Sequence, residues 1–217
     1  MAERNLDQAA RRAALGRSDV VAVGLTGGIG AGKSTALSMF REQGALTTSA
    51  DEIVHDLYSR PDYVAQLVEH FGRDLFGERG GVDRRRLAGM VKGRSKELRW
   101  LERLTHPLVE WEIERVIAEA PPRSIVVCEV PLLFESHFEG LFDLLVTVEA
   151  DRENRVSRSA ERFDPAVFDE FEGLQASIEE RVSGSHLAYY NDGSLDHMRA
   201  FIRDAYARAV ALLRQPR

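Results

Sequence analysis

The sequence predicts an α/β fold, a mostly parallel β-sheet carrying helices on both faces. Three observations predict it. Short β-branched, apolar runs alternate with longer, charged, helix-like stretches, the signature of strand–helix–strand units. The first of those runs is apolar at successive positions, as in a strand covered on both faces, rather than alternating with polar residues. That run also leads through a glycine-rich turn straight into a helical stretch. With 217 residues the chain suits one domain with insertions, or at most two small domains, and buries a core without disulfides or a structural metal.

Taken in order, residues 1–19 are polar and Arg/Ala-rich and read as a loose helix or a disordered extension. Residues 20–26 (VVAVGLT) read as a strand buried on both faces. A turn over 27–32 precedes a helix over 33–43. A second strand over 45–48 and a helix over 51–58 follow. The stretch 60–120 is helical in pattern and charge-rich. Pro107 is expected in the first turn of a helix running to about 120, which Pro121 and Pro122 end. So long a stretch exceeds a simple crossover and reads as an inserted helical subdomain. Strands follow over 124–130 and 143–149, then charged helices over 151–161 and 164–180, and a last short strand over 186–190. Asn191-Asp192-Gly193 is a turn, and Ser194 caps a terminal helix ending near Leu213.

The charge balance excludes some classes of function. Lys plus Arg number 29 against 35 Asp plus Glu, a net charge of −6, which argues against a general nucleic-acid binder. It leaves room for a small anionic ligand in a local basic site. No run approaches a membrane-spanning length of about 18 apolar residues. The N-terminus has no apolar segment of a secretory signal, and the single Cys128 sits in an apolar run as a small buried residue, so a cytoplasmic protein is expected. No His/Cys cluster has zinc-ligand spacing.

The most specific signal is Gly27-Gly28-Ile29-Gly30-Ala31-Gly32-Lys33-Ser34, which fits G-x-x-x-x-G-K-[ST] between a buried strand and a helix. Glycines let backbone N–H groups turn inward around a phosphate chain. The helix starting at Lys33 aims its positive end at the same oxygens. Lys33 reaches the β- and γ-phosphates, and the Ser34 hydroxyl, with Thr35 beside it, is a Mg²⁺ ligand. The expected architecture is therefore a three-layer P-loop NTPase core binding ATP with Mg²⁺. The chain lacks the Asn-Lys-x-Asp guanine-reading motif of a GTPase, and its size suits a kinase of a small metabolite. Asp51 follows the second strand, at the sheet edge where ligands of parallel sheets bind. It is a candidate proton acceptor for an attacking hydroxyl; alternatively, Asp51 or Ser49 caps the next helix.

Beyond the P-loop, Ala50-Asp51-Glu52-Ile53, Val82-Asp83-Arg84-Arg85 with Leu87, His106-Pro107, and above all Pro131-Leu132-Leu133-Phe134-Glu135 resemble the dephospho-CoA kinase family in order and spacing, over residues 20–200. The resemblance implies ATP-dependent phosphorylation of the ribose 3′-hydroxyl of dephospho-CoA, the last step of coenzyme A synthesis. It implies a nucleotide-binding core (20–59, 121–150 and 186–217), a helical CoA-binding subdomain (about 60–120) and a helical lid (about 151–185), within a kinase domain over 20–217. It makes Asp51 the general base, puts Arg158 and Arg162 in the lid as stabilisers of phosphoryl charge, and places His106, Leu132, Phe134 and Arg85 on the substrate side. The partners it implies are ATP and dephospho-CoA, with neither nucleic acid nor membrane, in a monomer or weak homo-oligomer.

The sequence departs from the family pattern in places. Ser49-Ala50-Asp51 stands where Asp-Ala-Asp is usual, Glu129 where Asp is common, the lid segment 163–184 lacks the usual Arg-Asp-Gly-Leu, and Tyr189-Tyr190-Asn191-Asp192-Gly193 only loosely follows its counterpart. Residues 83–103 hold eight basic and three acidic side chains, either a solvated helix face or a field that captures a pyrophosphate. Glu129 suits a water-mediated Mg²⁺ contact or a structural hydrogen bond equally, and Trp100 and Trp111 read as packing residues. Two rival readings remain: another P-loop nucleotide or small-metabolite kinase, and a non-catalytic ATP-binding regulator.

Overall fold

A computed structural model describes residues 19–77, 81–161 and 164–214. The predicted extension over 1–19 lies outside the described residues except for Asp19, as does Arg162. The described chain divides into two compact units, 19–49 with 113–214, and 50–112.

The first unit is built on a five-stranded sheet of β1 (Val21–Gly27), β2 (Leu46–Ser49), β3 (Ile125–Glu129), β4 (Leu144–Glu149) and β5 (Leu187–Tyr190). Its order is β2-β3-β1-β4-β5, and every neighbouring pair is parallel. Central β1 pairs Val21 with Ile125 on one side and Val23 with Leu144 on the other. All seven of its residues are buried, as are all of β3 and β4, which is why these segments read as continuous apolar runs.

One face of the sheet carries α1 (Lys33–Glu42) and the C-terminal helix α9 (Leu195–Leu213). Val21, Val23 and Leu25 point into this layer against Ala36, Phe40, Met198 and Ile202. Helix α9 buries Met198, Ile202, Ala205 and Ala209, a spacing of three or four residues that keeps one stripe on the sheet. Its Ser194 cap accepts a hydrogen bond from His197 N–H at 3.2 Å, as expected. On the opposite face a Cβ added to Gly24 would lie 2.7 Å from the Phe142 ring and 2.9 Å from Leu133, so the turns over 131–142 pack directly on β1.

The region after β4 departs from expectation. One long helix over 164–180 is replaced by two, α7 (Pro165–Gly173) and α8 (Ile178–Gly184), preceded by α6 (Arg152–Ser159). The break has a local cause. Ser177 and Glu180 form a capping box, Ser177 Oγ accepting from Glu180 N–H and Glu180 Oε2 accepting from Ser177 N–H at 2.8 Å, so a new helix starts there.

The second unit is helical: α2 (Ala50–Leu57), α3 (Pro61–Phe71), α4 (Arg84–Val91) and the first part of α5 (Ser95–Glu119). Pro107 does not start a helix; it lies inside α5. A proline there removes one i→i−4 hydrogen bond, and the helix continues through it with Val109, Ile113 and Ile117 buried along one stripe. Tyr63 is fully buried, its hydroxyl 2.9 Å from Thr105 Oγ1, and burial pushes its phenol up to about 12. Trp100 stacks on the His70 ring at 3.8 Å, whereas Trp111, expected in packing, is 52% exposed. Cys128 is fully buried in β3.

Candidate active site

The loop between β1 and α1 is shaped by glycine. Gly27 has φ 141°, and a Cβ there would fall 1.9 Å from the Val148 carbonyl oxygen, so β1 and β4 leave no space for one. Gly32 begins α1 with φ 108°, a left-handed conformation that other residues adopt at a cost, and it offers the helix start no side-chain cap. No side chain of the N-cap residue closes this helix start, and helix N-termini attract anions. Lys33 is buried, its Nζ donating to the Gly27 and Gly28 carbonyls at 3.0 and 3.1 Å. The ammonium thus neutralises carbonyl dipoles of its own loop. Ser34 and Thr35 are exposed at the first turn of α1.

Around this loop lie side chains that the sequence reading names only as part of a turn, as with Asn191, or gives no role in the site. Asn191 Nδ2 donates to the Ala31 carbonyl at 2.8 Å, while its Oδ1 accepts from Gly193 N–H at 3.0 Å, so the turn after β5 props the loop from below. The Gln175 carboxamide bonds to Ile29 N–H, the Gly27 carbonyl and the Pro131 carbonyl. At the end of β4, Glu149 is wholly buried and takes a two-pronged contact from Arg181, 2.6 and 2.8 Å, with Thr147 Oγ1 donating to the same carboxylate at 3.1 Å. A Cβ added to Gly28 would meet Arg155 and Glu149 at 3.1 Å, so this buried charge lies against the loop. Breaking such a pair by removing one partner costs about 3–5 kcal/mol, because the other charge is left buried.

Helices α6 and α7 are joined by charge. Arg155 is buried, donating to the Ala150 carbonyl at 3.0 Å and to Glu172 at 2.6 Å. Arg152 reaches Glu172 at 2.9 Å and also pairs with Asp169. Burial tends to raise the Glu172 carboxyl, but the hydrogen bonds from Arg152 and Arg155 outweigh it and hold the group below its ordinary value of 4.5. Arg158 is exposed on α6, beside the turn at Gly193, where an added Cβ would lie 3.7 Å from its guanidinium.

Within Pro131–Glu135, Leu133 is fully buried while Leu132 and Phe134 are half-buried. The Phe134 ring covers Gly184 at the end of α8, where a Cβ would come within 2.5 Å. The Glu135 carboxylate accepts from Ala176 N–H. Glu129 is buried at the C-terminal end of β3. The remaining predicted residues belong to the second unit. Asp51 is exposed in the first turn of α2. Arg85 is exposed in the first turn of α4, where Asp83 caps the helix by accepting from Arg85 and Arg86 N–H. His106 is half-buried within α5.

Among the described residues no group of three or more His, Cys, Asp or Glu side chains could hold a metal ion. The exposed Ser34 hydroxyl still fits Mg²⁺, which retains several waters and binds through one or two side chains plus the phosphates of its nucleotide. No helix among the described residues is long and apolar enough to cross a membrane.

A parallel sheet with its first strand at the centre, ending in this loop and a helix start without a side-chain cap, defines a P-loop nucleoside-triphosphate-binding protein. Comparison with known proteins narrows the class. A profile of the dephospho-CoA kinase family matches residues 21–197, and the chain belongs to that family. It is 36% identical to a dephospho-CoA kinase of Frankia casuarinae, over 87% of this chain and 83% of that one. It is 33% identical to the Aquifex aeolicus dephospho-CoA kinase, over 85% and 95%. A crystal structure from Thermus thermophilus superposes with a TM-score of 0.77 at 27% identity, covering 88% of this chain and 98% of that one. A dephospho-CoA kinase from Campylobacter jejuni shares the fold with a TM-score of 0.59 at 20% identity, covering 88% and 97%.

Proposed function

We propose that this protein transfers the γ-phosphoryl group of ATP to the ribose 3′-hydroxyl of dephospho-CoA, giving coenzyme A and ADP. The observation that carries the reading is the P-loop with its buried Lys33, in a chain that belongs to the dephospho-CoA kinase family.

In this mechanism the loop amides and the N-terminus of α1 hold the phosphate chain, and Lys33 exchanges its two carbonyl partners for phosphate oxygens. Ser34 would hold Mg²⁺, which supplies charge neutralisation across the β- and γ-phosphates. The 3′-oxygen attacks the γ-phosphorus in line as the bond from that phosphorus to the ADP oxygen breaks, and the hydroxyl proton passes to the Asp51 carboxylate. Asp51 comes two residues after Ser49, the last residue of β2, so in sequence it directly follows the carboxyl end of a parallel strand, which supports the base role. Arg158, with Arg162, stabilises charge on the transferring group, and His106, Arg85, Leu132 and Phe134 contact the acceptor. The helical part over about 60–120 binds the acceptor and the segment over about 151–185 acts as a lid. The enzyme works in the cytoplasm as a monomer or weak homo-oligomer, without nucleic acid or membrane.

The test is ADP release from Mg-ATP with and without dephospho-CoA, together with the mass of the product. Release that depends on dephospho-CoA, with a product heavier by one phosphate, is expected; ATP binding without transfer to dephospho-CoA overturns the reading. For the base, Asp51→Asn is expected to lower kcat about 100- to 10,000-fold with thermal stability unchanged. A near-normal rate would remove Asp51 from that role.

A further inference from the structure

Gln175 lies in the link between α7 and α8, 146 positions from the loop residue it touches. Its Oε1 accepts from Ile29 N–H at 2.8 Å, and its Nε2 donates to the Gly27 carbonyl at 3.1 Å and the Pro131 carbonyl at 3.0 Å. One acceptor bond to an amide and two donor bonds to carbonyls allow only one orientation of the carboxamide. The link is itself fixed from two sides. Ala176 N–H donates to the Glu135 carboxylate, and the Ala176 carbonyl accepts from Arg181, whose guanidinium is anchored on buried Glu149.

The consequence falls on the loop. Glycines at 27, 28 and 30 give the free loop many backbone conformations, of which few aim their amides at a phosphate chain. Gln175 pins the Gly27–Gly28 peptide through its carbonyl and the Gly28–Ile29 peptide through its N–H. A loop held in its binding geometry before the ligand arrives loses less entropy on binding. We infer that Gln175 is a positioning residue: from the α7–α8 link it holds the phosphate loop in the conformation that binds the nucleotide, and so sets nucleotide affinity. The inference rests on the proposed reading only in taking an adenine nucleotide as the ligand of the loop.

Calorimetric binding of Mg-ADP to the full chain tests it. Gln175→Met keeps the length of the side chain and removes its three hydrogen bonds. It is expected to weaken Mg-ADP about 10-fold, the scale of one buried hydrogen bond, while KM for dephospho-CoA stays within about twofold. Gln175→Glu keeps the acceptor for Ile29 N–H, loses both donors and adds a charge beside the phosphates. Its loss of affinity relative to wild type is expected to shrink as pH falls from about 8 to about 5.5, because a protonated carboxyl regains one donor. Repulsion by the added charge gives the same trend, so the deciding readout is the uncharged Met variant, whose affinity falls at unchanged Tm, as that of a merely structural side chain would not. If the Met variant does not fold, Gln175→Asn, which withdraws the carboxamide without adding a charge, takes its place.

Variants that bind Mg-ADP like wild type overturn the inference, as does a parallel loss of nucleotide binding, dephospho-CoA binding and thermal stability. A wild-type chain that binds no Mg-ADP overturns both this inference and the proposed function. A wild-type chain that turns over dephospho-CoA while its Gln175 variants bind Mg-ADP normally overturns the inference alone.

Discussion

The phosphate loop and the three helices after β4 lie in the same unit and are held by opposite means. The loop takes its shape mainly from backbone and neighbours in sequence, glycine conformations, carbonyls gathered on Lys33 and a helix start, with the Gln175 and Asn191 carboxamides reaching in from far along the chain. The segment α6–α8 takes its shape from long charged side chains, Arg152 and Arg155 on Glu172 and Arg181 on Glu149. Order of this kind is encoded mainly by neighbours in sequence, so losing one distant prop loosens the loop without unmaking it. Charge-held order depends on partners far apart in sequence and fails when one partner is lost.

That contrast predicts a graded set of effects. The largest is on catalysis in the loop: Lys33→Ala is expected to lower kcat about 1,000-fold, since it deletes a charge that stabilises the transferring phosphoryl group. Circular dichroism should show the sheet intact; an unfolded variant would mean that the fold of this unit, and not only its chemistry, depends on the Lys33 side chain. Next comes stability in the helical segment. Arg181→Leu leaves the Glu149 carboxylate buried without its partner and is expected to cost about 3 kcal/mol or more, lowering Tm by roughly 6 °C or more. A shift within error would show that the segment is held by packing instead. The smallest effect is on pH. The Glu172 carboxyl is held below 4.5, so its stabilising contribution is complete above that value and is lost as pH falls through the depressed folded value. Solvent at this partly exposed site screens the effect. Glu172→Gln should remove a small acid-induced loosening of α6 and α7, read by proteolysis; an identical acid profile in the variant would dissociate Glu172 from the joint.

The same contrast explains what was legible in the sequence. The loop spells its chemistry in eight consecutive residues, and the buried strands announce themselves by continuous apolar runs. The α7–α8 break carried a signal that helix periodicity masked, the Ser177-x-x-Glu180 capping box. Pro107 misled because a proline marks a helix start when local preference decides, and here a 25-residue helix with a buried stripe overrides it. Glu135 stood inside a recognised motif, but its partner Ala176 lies 41 positions away. Arg181 falls just past the helix expected over 164–180 and drew no reading, since nothing near it in the chain marks it as the partner of Glu149, 32 positions earlier. Arg85 and His106 were chosen by motif and Asp51 by its place after β2 as well, and all three lie in the second unit.

The position of β1 has a consequence for how the chain is made. Of the five strands of the described sheet, the earliest in the chain is the central one, yet Val21 pairs with Ile125, 104 positions later, and Val23 waits for Leu144. At about 5–20 residues per second, synthesis leaves this fully apolar strand without either neighbour for roughly 5–20 seconds. Until then its open edges invite contact with other nascent chains, and native pairing must close a loop of about a hundred residues before it is rewarded. The topology that brings the phosphate loop to the middle of the sheet thus leaves the newborn chain with its central, fully buried strand unpaired for much of its synthesis.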